Sequence, residues 1–190
     1  MLLDYLELTA AGLGLVYLYF EYRASAWLWV PSILMPALYL GVFYEAGLYA
    51  DLAINVYYIV ASVYGLACWL RGAKGGADTS TPITRTPRRL AWPLVGAGVA
   101  VFVVTGLVLS RLTDSTVPWA DAFTTALSVV ALWMLARKYV EQWLVWIAAD
   151  AACAALYAYK GLWPTAVLYL LYTVIAIAGY RKWKAICAGE

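Results

Sequence analysis

An all-α, polytopic membrane protein with seven transmembrane helices in a 3+1+3 parallel repeat is the fold class this sequence predicts. Three observations lead there. Of 190 residues, 65% are hydrophobic and only 13% charged, with a mean hydropathy of +0.77. A soluble domain of this size cannot hide so much apolar surface, so lipid is the solvent for most of the chain. Seven segments, 6–23, 27–45, 49–70, 91–112, 119–137, 142–159 and 163–181, approach the roughly 20 apolar residues that a helix needs to cross a hydrocarbon core of about 30 Å. Finally, the first three segments return 114 positions later without a gap. Trp29 recurs as Trp143, Gly47-Leu48-Tyr49 as Gly161-Leu162-Trp163, Tyr58 as Tyr172, Gly65 as Gly179, Trp69 as Trp183 and Arg23 as Arg137.

Each element has its reason. The first segment carries Asp4 and Glu7 where a signal peptide has a basic region, and it runs on without a small-residue cleavage site, so it is expected to be a retained helix. Residues 1–70 form the first three-helix repeat. Residues 71–90 (RGAKGGADTSTPITRTPRR and the residue after it) are rich in Gly, Thr, Pro and basic residues, the composition of a flexible loop. Its basic cluster is a topology anchor or a contact for anionic headgroups. Helix 4, 91–112, has no counterpart in either repeat, for a topological reason. Three helices end on the side opposite their start, so a second copy in the same orientation, here 119–184, needs one extra crossing. Sugar carriers of the SWEET type have parallel repeats of this kind. Loops after segments 1, 3, 5 and 7 hold eleven Lys and Arg, against Arg111 and Lys160 on the other side. The positive-inside rule then puts the N-terminus outside and the C-terminus in the cytoplasm.

Composition also excludes functions. Cys68, Cys153 and Cys187 are isolated and make no CxxC pair, and there is no histidine, so the usual metal ligands are missing and no metal or cofactor is expected. No GxSxG, HExxH or P-loop motif occurs, so the chain is not expected to be an enzyme. A retinal protein needs a lysine within helix 7, whereas Lys182 and Lys184 lie at its end. Little chain lies outside the spans, and a nucleic-acid partner is not expected. Duplicated membrane-embedded halves point instead to a small-solute carrier, because rocking one half against the other opens a site between them to either side.

Candidate site residues follow from helical spacing. Trp143, Trp146, Asp150, Cys153 and Tyr157 share one face of helix 6. Asp150 is the acid nearest the middle of a span, where a charge costs on the order of 2.5–3.5 kcal/mol, so it should face the bundle interior or a wet cavity. It is either a counter-charge for a cationic substrate, an orienter of binding-site donors, or a structural acid hydrogen-bonded between helices. Helix 3 presents Asn55, Tyr58, Ser62, Gly65 and Trp69; the equivalent stripe in helix 7 is Tyr169, Tyr172, Ala176, Gly179 and Trp183. The glycines suit close helix contact and the terminal tryptophans an aromatic belt. Asn55 and Tyr169 break the symmetry, as the reader of one substrate must. In helix 5, Thr125 and Ser128 are expected to bond their own helix carbonyls, while Trp133 offers a flat face for a cationic ring. Pro31, Pro36 and Pro164 are candidate hinges, Pro164 equally a helix-start residue.

Residues 133–183 resemble the C-terminal half of the PnuC family of bacterial vitamin transporters, and 21–65 the N-terminal half. The most specific pieces are Trp143-x-x-Trp146-x-x-x-Asp150 and the Tyr159-Lys160-Gly161-Leu162 turn. The resemblance implies an inner-membrane facilitator for nicotinamide riboside or a related cationic aromatic vitamin, with the product trapped by a cytoplasmic kinase. It further implies a SWEET-like protomer, a homotrimer, and ligands mapping best onto Asn55, Tyr58, Trp133, Gln142, Trp143 and Asp150. Two departures stand out. Where riboside carriers of the family have Gln-Trp and Asn-Trp pairs, this chain has Leu132-Trp133 and Gln142-Trp143. The loss of an amide at 132, and the run MPALYLGVFYEAGLYAD, look closer to a thiamine-carrying branch; a non-transporting membrane scaffold is a further alternative. The expected substrate-binding set is Asn55, Tyr58, Trp133, Gln142, Trp143, Trp146, Asp150, Tyr169 and Tyr172.

Overall fold

In a computed structural model the described residues, 2–45, 49–73, 82–113 and 115–189, form seven α-helices and no strand. They are α1 Leu2–Tyr22, α2 Trp29–Glu45, α3 Tyr49–Ala73, α4 Arg88–Leu112, α5 Pro118–Ala136, α6 Gln142–Tyr159 and α7 Trp163–Ala188. Every expected segment is therefore helical. Leu52–Arg71, α4, α5 and α7 are long and apolar enough to cross a membrane by themselves. Gly47, Leu48 and residues 74–81 of the 71–90 loop lie outside the described residues, as do the side chains of Asp4 and Glu7.

The chain divides into two compact units, Met1–Ser80 and Thr81–Glu190. In the first, α1 ends in a turn through Ala24 and one 3-10 turn, Ala26–Leu28, before α2. The Trp29 ring lies over the Cα of Gly65 on α3 and meets Trp69 edge to face, with centroids 5.4 Å apart and planes at 86°. Ser62 Oγ donates to the Ser32 carbonyl at 3.3 Å, a second link between α2 and α3. In the second unit, the Trp143 ring lies over Gly179 on α7 and meets Trp183 at 5.6 Å and 87°.

These are positions 114 apart, and the likeness continues at the turns. Ala24 and Lys138 both adopt left-handed φ, 51° and 52°. Arg23 lies 5.7 Å over the Tyr19 ring, and Arg137 5.7 Å over the Trp133 ring. Trp69 and Trp183 were expected to be belt aromatics. Both are instead buried, 3% and 0% exposed, because each is the edge against which a partner tryptophan packs. The glycines make room for an indole rather than for a second helix backbone.

Prolines divide by place. Pro36 lies inside α2 and Pro31 in its first turn, while Pro164 starts α7, where its missing N–H has no intrahelical acceptor to lose.

In the second unit, residues 82–87 are tied to the α5–α6 turn. Thr84 N donates to the Lys138 carbonyl at 3.1 Å, and Val140 N donates to the Thr84 carbonyl at 2.9 Å. Glu141 Oε2 accepts from Thr86 N at 2.7 Å and Thr86 Oγ1 at 2.9 Å. Lys138, in that turn, is 2% exposed, and burial pushes its ammonium down to about 8 from 10.5. The unfolded chain holds this proton up to its ordinary range while the folded one releases it earlier. Stability therefore rises with pH across the window from about 8 to 10.5. Thermal unfolding in detergent should show a gain on the order of 1–3 kcal/mol there. A Lys138→Met variant should lack that gain; an unchanged slope in the variant would assign it to other groups.

Candidate functional site

The polar residues of α6 and α7 gather within the second unit. Pro118 opens α5 with Asp121 in its first turn, where a carboxylate favours the exposed N–H groups. Asp121 accepts from Ser115 Oγ at 2.8 Å and pairs with Lys160 at 3.0 Å, joining the start of α5 to the end of α6. Below this closure lie Asp150, Cys153 and Tyr157 of α6 with Tyr169 and Tyr172 of α7, close enough to act on one another electrostatically. The rings form a chain: Tyr157 to Tyr169 at 5.2 Å and 31°, then Tyr169 to Tyr172 at 5.5 Å and 61°. Asp150 is 7% exposed, and among the described residues none donates a hydrogen bond to its carboxylate.

At the other end of α6 stands Gln142, its first residue, fully buried. Among the described residues neither Nε2 nor Oε1 has a hydrogen-bond partner, and the indole N–H groups of Trp143 and Trp146 have none either. A buried amide without partners forgoes the water bonds it had before folding, at about 1–3 kcal/mol. Gln142, Trp146 and Asp150 are four residues apart in turn, so they line one side of α6 over roughly 12 Å of its axis.

The expected residues thus separate. Gln142, Trp146, Asp150, Tyr169 and Tyr172 lie along the neighbouring helices α6 and α7. Trp143, on the same stretch, is engaged in packing on Gly179 and Trp183. Trp133 sits at the far end of α5, beside Tyr139 (6.2 Å) and under Arg137. Asn55 and Tyr58 belong to α3 of the first unit, where Tyr58 packs on Tyr57 at 5.9 Å. Ser128 Oγ donates to the Thr124 carbonyl at 2.9 Å, the local bond expected of it. The sequence reading passed over Thr124, whose hydroxyl is placed beside Cys153. Helical phase would have found it, since Thr124 follows Asp121 by three.

The family model for the nicotinamide mononucleotide transporters matches residues 4–185. The chain belongs to this family. Its relatives include the nicotinamide riboside transporter PnuC of Escherichia coli (strain K12), 28% identical over 165 residues, covering 75% of this chain and 69% of the relative. They also include the riboflavin/roseoflavin transporter RibM of Streptomyces davaonensis, 27% identical over 176 residues, covering 90% and 80%. The crystal structure of the vitamin B3 transporter PnuC shares the fold, with a TM-score of 0.71 at 23% identity, covering 95% of this chain and 80% of that one. The PnuC resemblance is thus borne out: the chain is a multi-pass membrane transporter and not an enzyme.

Proposed function

We propose that this transporter takes up nicotinamide riboside or a related cationic aromatic vitamin, with thiamine the runner-up substrate. The observation that carries this reading is the unpartnered Gln142 amide on the same side of α6 as Asp150. Gln142 offers one donor pair and one acceptor to an amide or a hydroxylated ring. Asp150 supplies the countercharge, and Tyr157, Tyr169 and Tyr172 supply ring faces on which a cation gains about 0.5–2 kcal/mol each. Riboflavin, the solute in the name of one relative, is a neutral aromatic and would use the rings and the amide without the carboxylate.

The recurrence of Trp–Gly–Trp packing at a spacing of 114 supports two three-helix halves as a parallel repeat, and hence alternating access by rocking one half against the other. Charge bias supports an N-terminus outside and a C-terminus in the cytoplasm of a bacterial inner membrane. Trimeric assembly and trapping of the product by a cytoplasmic kinase extend the reading, and both come from the family resemblance.

The test is calorimetric titration of the purified chain with nicotinamide riboside, thiamine and riboflavin, repeated on Asp150→Asn. Saturable binding of one cationic vitamin is expected, weakened about 10- to 150-fold by the substitution, the range for a charge-assisted bond. Binding of riboflavin alone, with Asp150→Asn indifferent, would overturn the cationic assignment and move the protein toward flavin transport.

A further inference from the structure

Beyond the vitamin site, we propose that the groove between α4 and α5 binds one anionic glycerophospholipid, its acyl chain in the groove and its phosphate at Arg88. The groove holds about 660 Å³, within the roughly 300–1,000 Å³ of small-molecule sites. Val95, Gly98 and Phe102 of α4 and Phe123 and Val130 of α5 line it, with no residue of the vitamin site among them. Its depth follows from Gly98: a Cβ there would meet only Val130 Cγ2, at 3.4 Å. From Ala91 to Phe102 the lining runs about 16 Å along α4, close to one leaflet of a hydrocarbon core about 30 Å thick. Apolar walls of that length suit an acyl chain and reject a polar vitamin.

The mouth is polar, with one cation, Arg88, and one carboxylate, Glu141. Thr86, Arg88 and Glu141 form it, and the Glu141 carboxylate already accepts two bonds from Thr86. Arg88 is exposed, makes no hydrogen bond or ion pair with any described residue, and is flanked in sequence by Arg85 and Arg89. A guanidinium group binds phosphate through two parallel N–H donors, so the headgroup end of an anionic lipid completes the mouth.

The experiment is native mass spectrometry of the full chain in detergent, titrated with phosphatidylglycerol and with phosphatidylcholine of matched acyl chains. One phosphatidylglycerol should be retained per chain, in clear preference to phosphatidylcholine. Arg88→Gln should cut that preference about fivefold, and Ala91→Trp, which fills the groove near its mouth, should lower retention of both lipids. Vitamin binding by both variants checks that they fold. Equal retention of the two lipids, or a preference untouched by Arg88→Gln, overturns the proposal. So does an Ala91→Trp variant that loses oligomers while keeping its lipid, which would make the groove a contact between copies.

Discussion

Replacing Gln142 by leucine is expected to weaken vitamin binding about 5- to 150-fold, while the ligand-free protein stays as stable as before or gains stability. The two effects come from one physical fact. With no ligand, the amide is buried and neither of its polar atoms has a partner among the described residues, so removing it relieves a desolvation penalty. With the ligand, the same amide is the one able to donate and accept, so removing it strands the ligand's polar groups. Leucine is the right replacement because the chain already uses it so: Leu28, 114 positions earlier, is also fully buried beside a tryptophan, Trp29. Calorimetry reads the first effect and thermal unfolding in detergent the second. A variant that loses stability but keeps its affinity would make Gln142 a structural residue and remove the observation on which the proposed function stands.

How much of this was legible in the sequence depends on what each residue does. Helix positions were, because apolar runs near 20 residues long have one stable solution in lipid. The packing pairs were half legible. The recurrence of Trp29, Gly65 and Trp69 as Trp143, Gly179 and Trp183 marked them as important. Their partnership was hidden, since Trp69 and Trp183 at helix ends look like belt residues until the rings are seen meeting edge to face. Asp150 announced itself through the cost of a charge in a span. Gln142 did not. An amide at the first position of a helix is ordinary in sequence, and only its burial without partners sets it apart; the family resemblance alone had pointed to it. The asymmetry that a substrate needs is now specific: Gln142, Trp146, Asp150 and Tyr169 stand where the earlier copy has Leu28, Ser32, Pro36 and Asn55. The indole-on-glycine packing residues repeat and these four do not.

That division leads to the second large effect. Gly179→Ala should destabilise the protein by about 1–3 kcal/mol, the usual result of forcing a methyl into a filled space. The new Cβ would stand 2.7 Å from Trp143 Cζ2 and Cη2. The ring cannot yield, because it is fully buried and its other side meets Trp183. Because Trp143 follows Gln142 directly, a displaced indole also turns the start of α6, so vitamin affinity should fall with stability. Gly96→Ala is the control: nothing lies within 4 Å of its added Cβ, and alanine favours a helix over glycine by about 1 kcal/mol, so that variant should be neutral or stabilised. In a Trp143→Leu background, Gly179→Ala should lose most of its effect, a coupling of about 0.5–3 kcal/mol in a double-mutant cycle. Gly65→Ala, whose Cβ meets the Trp29 ring, should destabilise in the same way. It tests the repeat itself: if the two indole-on-glycine contacts are the conserved joints of a duplicated scaffold, both alanines lower stability alike, but only the one at 179 lies beside the polar face of α6 and lowers affinity beyond what the lost stability explains.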